Sequence, residues 1–163
     1  MTLSGTKLQT THESMAMVET VRSILKTKGN HVWSLSPEAT VYDAIALMAE
    51  KGVGALLVLS HGKLAGIISE RDYARKVILK GHSSKDTLVQ DIMTSSVVTV
   101  MAEDTVAECM RIMTDHRVRH LPVLDGETLA GVISIGDVVR AIISAQADTI
   151  RQLSSYITGD YPA

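Results

Sequence analysis

Apolar residues recur along this chain in a cycle that switches between helical and extended spacing, and the cycle runs twice. In the first pass Val41, Ala44, Ile45 and Met48 fall on one face of a helix that stops at Gly52, and Thr40 with Asp43 three positions later marks its start. Short apolar runs at residues 32–35, 55–59 and 64–69 predict strands, the last two joined by the polar turn Ser60-His61-Gly62-Lys63 as a hairpin. Tyr73, Ala74, Val77 and Ile78 then predict a second helix that ends before Gly81. The order is β-α-β-β-α. In the second pass the strands fall at 97–100, 120–124 and 129–134, with the turn Asp125-Gly126-Glu127 and a helix start at Thr105 with Glu108. A last helix begins after Ser134, and Val138, Ile142, Ala145 and Ile150 carry its period toward Tyr156.

The two passes are one repeated unit. Residues 32–73 align without a gap on 97–138, always 65 positions apart, and 15 of the 42 pairs are identical. A unit of this length is marginal alone, so the two are expected to pack together about an approximate twofold axis, leaving two related clefts. The predicted class is mixed α/β (α+β). A polar extension and leading helix occupy 1–29, with Val18, Val21, Ile24 and Leu25 at helical spacing before Gly29. The first repeat spans 30–81. A link at 82–96 holds a short helical piece at 89–93, for which Thr87 and Gln90 suit the start; the second repeat spans 97–145, and a helix and tail fill 146–163.

Composition narrows the function classes. Hydrophobic residues are 45% against 21% charged, and 16 Lys plus Arg face 18 Asp plus Glu, so no bulk charge draws the chain to nucleic acid. Arg75, Lys76, Lys80 and Lys85 read as a solvated helix face. The one cysteine, Cys109, reads as a buried small hydrophobe and excludes an internal disulfide. No apolar run approaches the roughly 20 residues of a membrane span, and the first residues lack a secretion signal, which makes the cytoplasm the expected compartment. The six histidines lack zinc spacing, the glycines form no phosphate-binding fingerprint, and no nucleophile has an ordered base, so an enzyme is not expected.

Candidate chemistry lies where the third strand of each repeat ends. Gly66-Ile67-Ile68-Ser69-Glu70-Arg71-Asp72 and Gly131-Val132-Ile133-Ser134-Ile135-Gly136-Asp137 both read Gly-x-x-Ser-x-x-Asp. A hydroxyl and a carboxylate at a helix start can serve a ribose diol and a sugar or phosphate oxygen, beside free N–H groups that favour an anion. They serve equally well as an N-cap serine with an acidic partner at the third helical position. The residues alone leave both readings open. Arg71 and Arg119 are the phosphate candidates, since a guanidinium offers an oxyanion several fixed donors, and His120 adds another polar group. Gly54-Ala55 in one repeat stands where Arg119-His120 stands in the other, so the two sites are expected to be unequal, with Asp137 dominant.

The tandem plan, the Thr-x-x-Asp/Glu helix starts, the run Arg117-Val118-Arg119-His120-Leu121-Pro122-Val123 and the paired Gly-x-x-Ser-x-x-Asp endings together closely resemble the CBS domain pair, or Bateman module, over roughly residues 20 to 145. The resemblance implies that Asp72 and Asp137 bind the ribose hydroxyls of an adenine nucleotide and that Ser69 and Ser134 contact ribose or phosphate. It also implies an adenine pocket at the start of the first strand (Trp33, Ser34; Thr99) and of the second (Ala55; His120, Leu121), although Trp33 reads more readily as packing and Pro122 serves equally well as a structural residue where a strand begins. The implied ligand is AMP, ADP, ATP or NAD(H), acting as a regulatory signal and not as a catalytic cofactor. The implied partners are a second copy of the chain in a homodimer and a protein effector, with no membrane and no nucleic acid. A structural interaction module with vestigial sites is the main alternative, and a nucleotide-processing enzyme the third.

Overall fold

The computed structural model describes residues 19–158. The N-terminal extension before residue 19 and the tail after 158 lie outside the described residues. The chain divides into two compact units, His31–Thr99 and a second made of the segment up to Asn30 together with the segment from Val100 onward. The cut does not follow the repeat. The leading helix of the chain belongs with the second repeat, and the helix that leads into the second repeat belongs with the first.

In the first unit β1 (Ser34–Leu35), β2 (Ala55–Ser60) and β3 (Lys63–Ser69) form a three-stranded sheet in that order, β1 parallel and β3 antiparallel to β2. The hairpin turns at His61 and Gly62, both at positive φ (51° and 77°), the hand that matches the twist of the flanking strands. Helix α2 (Val41–Lys51) starts where Thr40 Oγ1 accepts from Asp43 N at 3.1 Å, and it stops at Gly52 in the left-handed conformation that glycine adopts at least cost. Its buried face, Val41, Ala44 and Met48, joins Leu56, Val58, Ile68, Val77, Val89 and Ile92 in one core. Each such side chain contributes about 1.5–3 kcal/mol when fully buried.

After β3 the chain makes one α-turn, α3 (Glu70–Tyr73), and then widens into a π-helical segment, Ala74–Ile78, where Leu79 N donates to Ala74 O and His82 N to Val77 O. The regular helix expected there is therefore split. The link helix α4 (Val89–Ile92) is capped by Asp91, whose Oδ2 accepts from Leu88 N at 3.4 Å; Thr87, the expected cap, instead donates to Ser83 O at 2.7 Å.

The second unit repeats the plan with β4 (Val100–Met101), α5 (Val106–His116), β5 (His120–Asp125), β6 (Thr128–Ser134) and α6 (Ile135–Thr158). Its hairpin register is that of the first displaced by 65: Ala55 pairs with Ser69 and His120 with Ser134, and the irregularity between Val58 and Leu59 returns between Val123 and Leu124. The parallel strand is the exception. Leu57 N donates to Trp33 O at 3.1 Å, but the equivalent residue is Pro122, which has no N–H, so β4 first pairs at Val100 with Val123, one step later than Ser34 with Leu57. The strand expected at 97–100 is thereby shortened and moved, and Pro122 is the third residue of β5, not its first.

Helix α1 (Val21–Lys28) is capped by Thr20 and closed by Gly29 at φ 92°, and it buries Val21 and Ile24. Val21 N donates to Asp104 O, Arg22 N to Ala102 O, and Val106 N to Glu19 O. In the other unit Val89 N donates to Ala39 O, Gln90 N to Pro37 O, and Val41 N to Thr87 O, which makes α1 and α4 equivalent elements. Arg22 adds ion pairs to Glu103 at 2.7 Å and to Asp125 at 3.0 Å on the surface of this unit.

Candidate functional site

Sheet order brings the candidate residues of each repeat to one end of its sheet. In the first unit Ser69 ends β3 beside Ala55, which begins β2, while Ser34 in β1 pairs with Leu57. Glu70 N donates to Gly54 O and closes this end. Asp72 sits one turn into the helix, where its Oδ2 accepts from Ser69 N at 2.9 Å and from the Ser69 hydroxyl at 3.1 Å, and Asp72 N donates to Ser69 Oγ at 3.3 Å. This is a complete reciprocal cap. Its Oδ1 faces Lys76 Nζ at 3.1 Å, and the same ammonium donates to Ile92 O at 2.8 Å. Lys76, expected on a solvated face, is thus a partner of the site.

The second unit carries the same cap in a more enclosed form. Ser134 N donates to Asp137 Oδ2 at 2.7 Å and Asp137 N to Ser134 Oγ at 3.2 Å. Two cations complete the carboxylate: Lys28 Nζ reaches Oδ2 and Arg140 Nη2 reaches Oδ1, each at 2.7 Å. Asp137 is 5% exposed and is the buried charged residue among the described residues. Burial alone pushes its carboxyl upward in pKa, but Lys28, the Ser134 N–H and Arg140 outweigh it and hold the group below its ordinary value. A carboxylate lowered in the folded state stabilises the fold above its unfolded pKa, and that contribution is lost as pH falls through the folded value. The stability difference between wild type and Asp137→Asn should accordingly be constant near neutrality and shrink below about pH 4, as measured by urea unfolding at a series of pH values. A difference that holds unchanged to low pH would overturn this assignment.

The remaining candidates divide by exposure. Arg119 is exposed, with its carbonyl accepting from Ile135 N at 2.8 Å, and His120 beside it is half-buried and pairs with Ser134. Arg71 is exposed on α3. Leu121 is fully buried, so it can offer a ligand only its backbone. Thr99 directly precedes β4, at the chain junction between the units. Trp33 is 37% exposed, stacked on His31 at 5.9 Å and covered by Lys51 Nζ at 4.4 Å, all contacts within its own unit. Cys109 is buried in the core, and burial first, then Asp104 and Glu108, push its thiol up to about 11, which leaves it protonated and inert at neutral pH.

Lys28 and Arg140 were not among the residues singled out from the sequence, and Lys76 was read only as part of a solvated helix face. Repeat comparison pairs Arg140 with Arg75, 65 positions earlier, but does not find the two lysines, because Ala141 stands where Lys76 would recur and Lys28 lies ahead of the aligned block. The available signal was the second correspondence, Val21 and Ile24 with Val89 and Ile92, which marks α1 as part of a repeat.

Comparison with known proteins agrees with this architecture. The CBS domain family matches at residues 20–79 and again at 89–144, each match beginning near the leading helix α1 or α4. The chain belongs to the CBS domain family and carries the domain twice. It is 43% identical over 152 residues to the mitochondrial CBS domain-containing protein CBSX3 of Arabidopsis thaliana, covering 87% of this chain and 73% of that one. The structure of a CBS-domain protein from Burkholderia ambifaria is 53% identical, with a TM-score of 0.75 over 77% of this chain and 94% of that one. A hexameric CBS-CP12 protein from bloom-forming cyanobacteria is 34% identical, with a TM-score of 0.68 over 76% of this chain and 71% of that one. No helix among the described residues is long and apolar enough to cross a membrane.

Proposed function

We propose that this CBS pair is a regulatory module, not an enzyme, which binds an adenine nucleotide at Asp72, Asp137 or both and passes an energy or redox signal to a protein effector through a shift in helix or subunit arrangement. The observation that carries the reading is the pair of serine–aspartate cradles, each at a sheet end. A ribose diol donates hydrogen bonds that a carboxylate accepts, and the exposed guanidiniums of Arg71 and Arg119 suit the phosphates of AMP, ADP, ATP or NAD(H). Backbone groups of the neighbouring strand ends would read the adenine edge. Membership of the CBS domain family supports a regulatory role.

Calorimetry with AMP and GMP tests the reading. AMP should bind more tightly at equal phosphate number, because base-edge contacts and not charge alone set selectivity; equal affinities would remove the adenine pocket. The structural alternative, an interaction module without ligand, has its own support in the caps, which satisfy both serines and both aspartates with no nucleotide. It predicts no nucleotide-dependent rise in melting temperature, whereas selective binding to the native state raises it. For the assembled state we favour a homodimer, supported by the exposed Ile135, Val139, Ile143, Ile150 and Leu153 of α6, and for the compartment the cytoplasm, although the Arabidopsis relative is mitochondrial.

A further inference from the structure

The two cations on Asp137 are not equivalent. Arg140 lies on α6 three residues from Asp137, with its side chain 73% exposed, and can swing into water without disturbing another element. Lys28 comes from α1, has a side chain only 36% exposed, and spends a second donor on Val132 O at 2.8 Å. The oxygen it holds, Oδ2, also accepts the Ser134 N–H that closes the start of α6. With the side chain 4% exposed and Oδ2 already accepting twice, a ribose diol that bridges both carboxylate oxygens reaches Oδ1 by turning Arg140 outward and reaches Oδ2 only by displacing the cap or the lysine. The lysine is the removable one.

We propose that Lys28 is a ligand-displaced latch: a nucleotide that takes Asp137 releases Lys28 and so frees the C-terminal end of α1. This inference deepens the nucleotide-binding reading and rests on it. Lys28 is the last residue of α1, followed by Gly29, and the chain enters the other unit at His31. Release at this position converts ligand occupancy into freedom at a connection between the units. The first repeat has the same chemistry in reversed attachment, since Lys76 sits beside its aspartate and donates to Ile92 O, the last residue of α4, the counterpart of α1. Both aspartates are thus tied by a lysine to a leading helix, although the lysines occupy unrelated positions in the repeat.

The test uses AMP, ATP and NADH with the full chain. Lys28→Met keeps the length of the stem and removes the competing ammonium, so the nucleotide that binds wild type should bind the variant about tenfold more tightly or better. In unmodified protein, hydrogen exchange at the amides of residues 26–29 should accelerate when that nucleotide is saturating. Nucleotide binding with an unchanged or weakened Lys28→Met affinity, or with unchanged or slowed exchange at 26–29, overturns the latch and leaves the nucleotide reading standing. Failure of wild type to bind any of the three overturns both. Should Lys28→Met not fold, the exchange measurement on wild type decides alone.

Discussion

Asp137→Asn should lower the stability of the protein by roughly 2–4 kcal/mol, the cost of breaking a buried ion pair reduced for the exposure of the two cations. The asparagine keeps an oxygen for the Ser134 N–H, but its amide cannot accept from Lys28 and Arg140 together, and two cations lose their shared counter-charge. Asp72→Asn, with a carboxylate more open to water and Lys76 half-exposed, should cost about 1 kcal/mol. Thermal and urea unfolding of the two variants measure the difference, and equal losses would show that the enclosure of Asp137 contributes nothing. The same variant tests the ribose contact. In folded protein Asp137→Asn should weaken nucleotide binding by about 1–3 kcal/mol, whereas Ser134→Ala should cost about 1 kcal/mol of stability with or without nucleotide. Unchanged affinity for AMP, ATP and NADH in folded Asp137→Asn would remove Asp137 as the ribose ligand.

That the cap and the proposed ligand site use the same atoms explains how far the sequence could be read. Elements set by local chemistry were legible: the hairpin at His61-Gly62 follows from turn residues, α2 from Thr40 and Gly52, and the length of α6 from its apolar period. The two Ser–Asp cradles were legible because their parts lie three residues apart on one turn. What escaped depended on contacts across the chain. Lys28 meets Asp137 over 109 residues, and nothing in the local pattern of α1 says which sheet receives it. The split after Tyr73 into a π-helical turn likewise has no breaker residue to announce it, since Ala74–Ile78 contains neither glycine nor proline. The displaced start of β4 depended on one missing N–H at Pro122, visible only when set against Leu57 in the other sheet.

The exchange of leading helices also sets the largest difference expected between two residues that the repeat makes identical. Gly66 and Gly131 both lie in the third strand, opposite Val58 and Val123, where the leading helix or the turn after it crosses closely. A Cβ at Gly66 would stand 2.6 Å from Met93 Sδ and 2.9 Å from the Thr94 carbonyl. The sulfur can move, but the carbonyl accepts from Ile67 N while Thr94 N donates to Ile67 O, so yielding there breaks a two-bond bridge. A Cβ at Gly131 would meet only the Leu25 side chain, 2.9 Å from Cδ2, and a leucine tip can change rotamer. Gly66→Ala should therefore cost about 2–3 kcal/mol and lower the melting temperature by roughly 5–10 °C, against about 1 kcal/mol for Gly131→Ala. Calorimetric melting of both single variants checks the order. If Gly131→Ala proves the more damaging, then α1 packs on β6 more rigidly than α4 packs on β3, and the backbone carbonyl of Thr94 is not what forbids a side chain at Gly66.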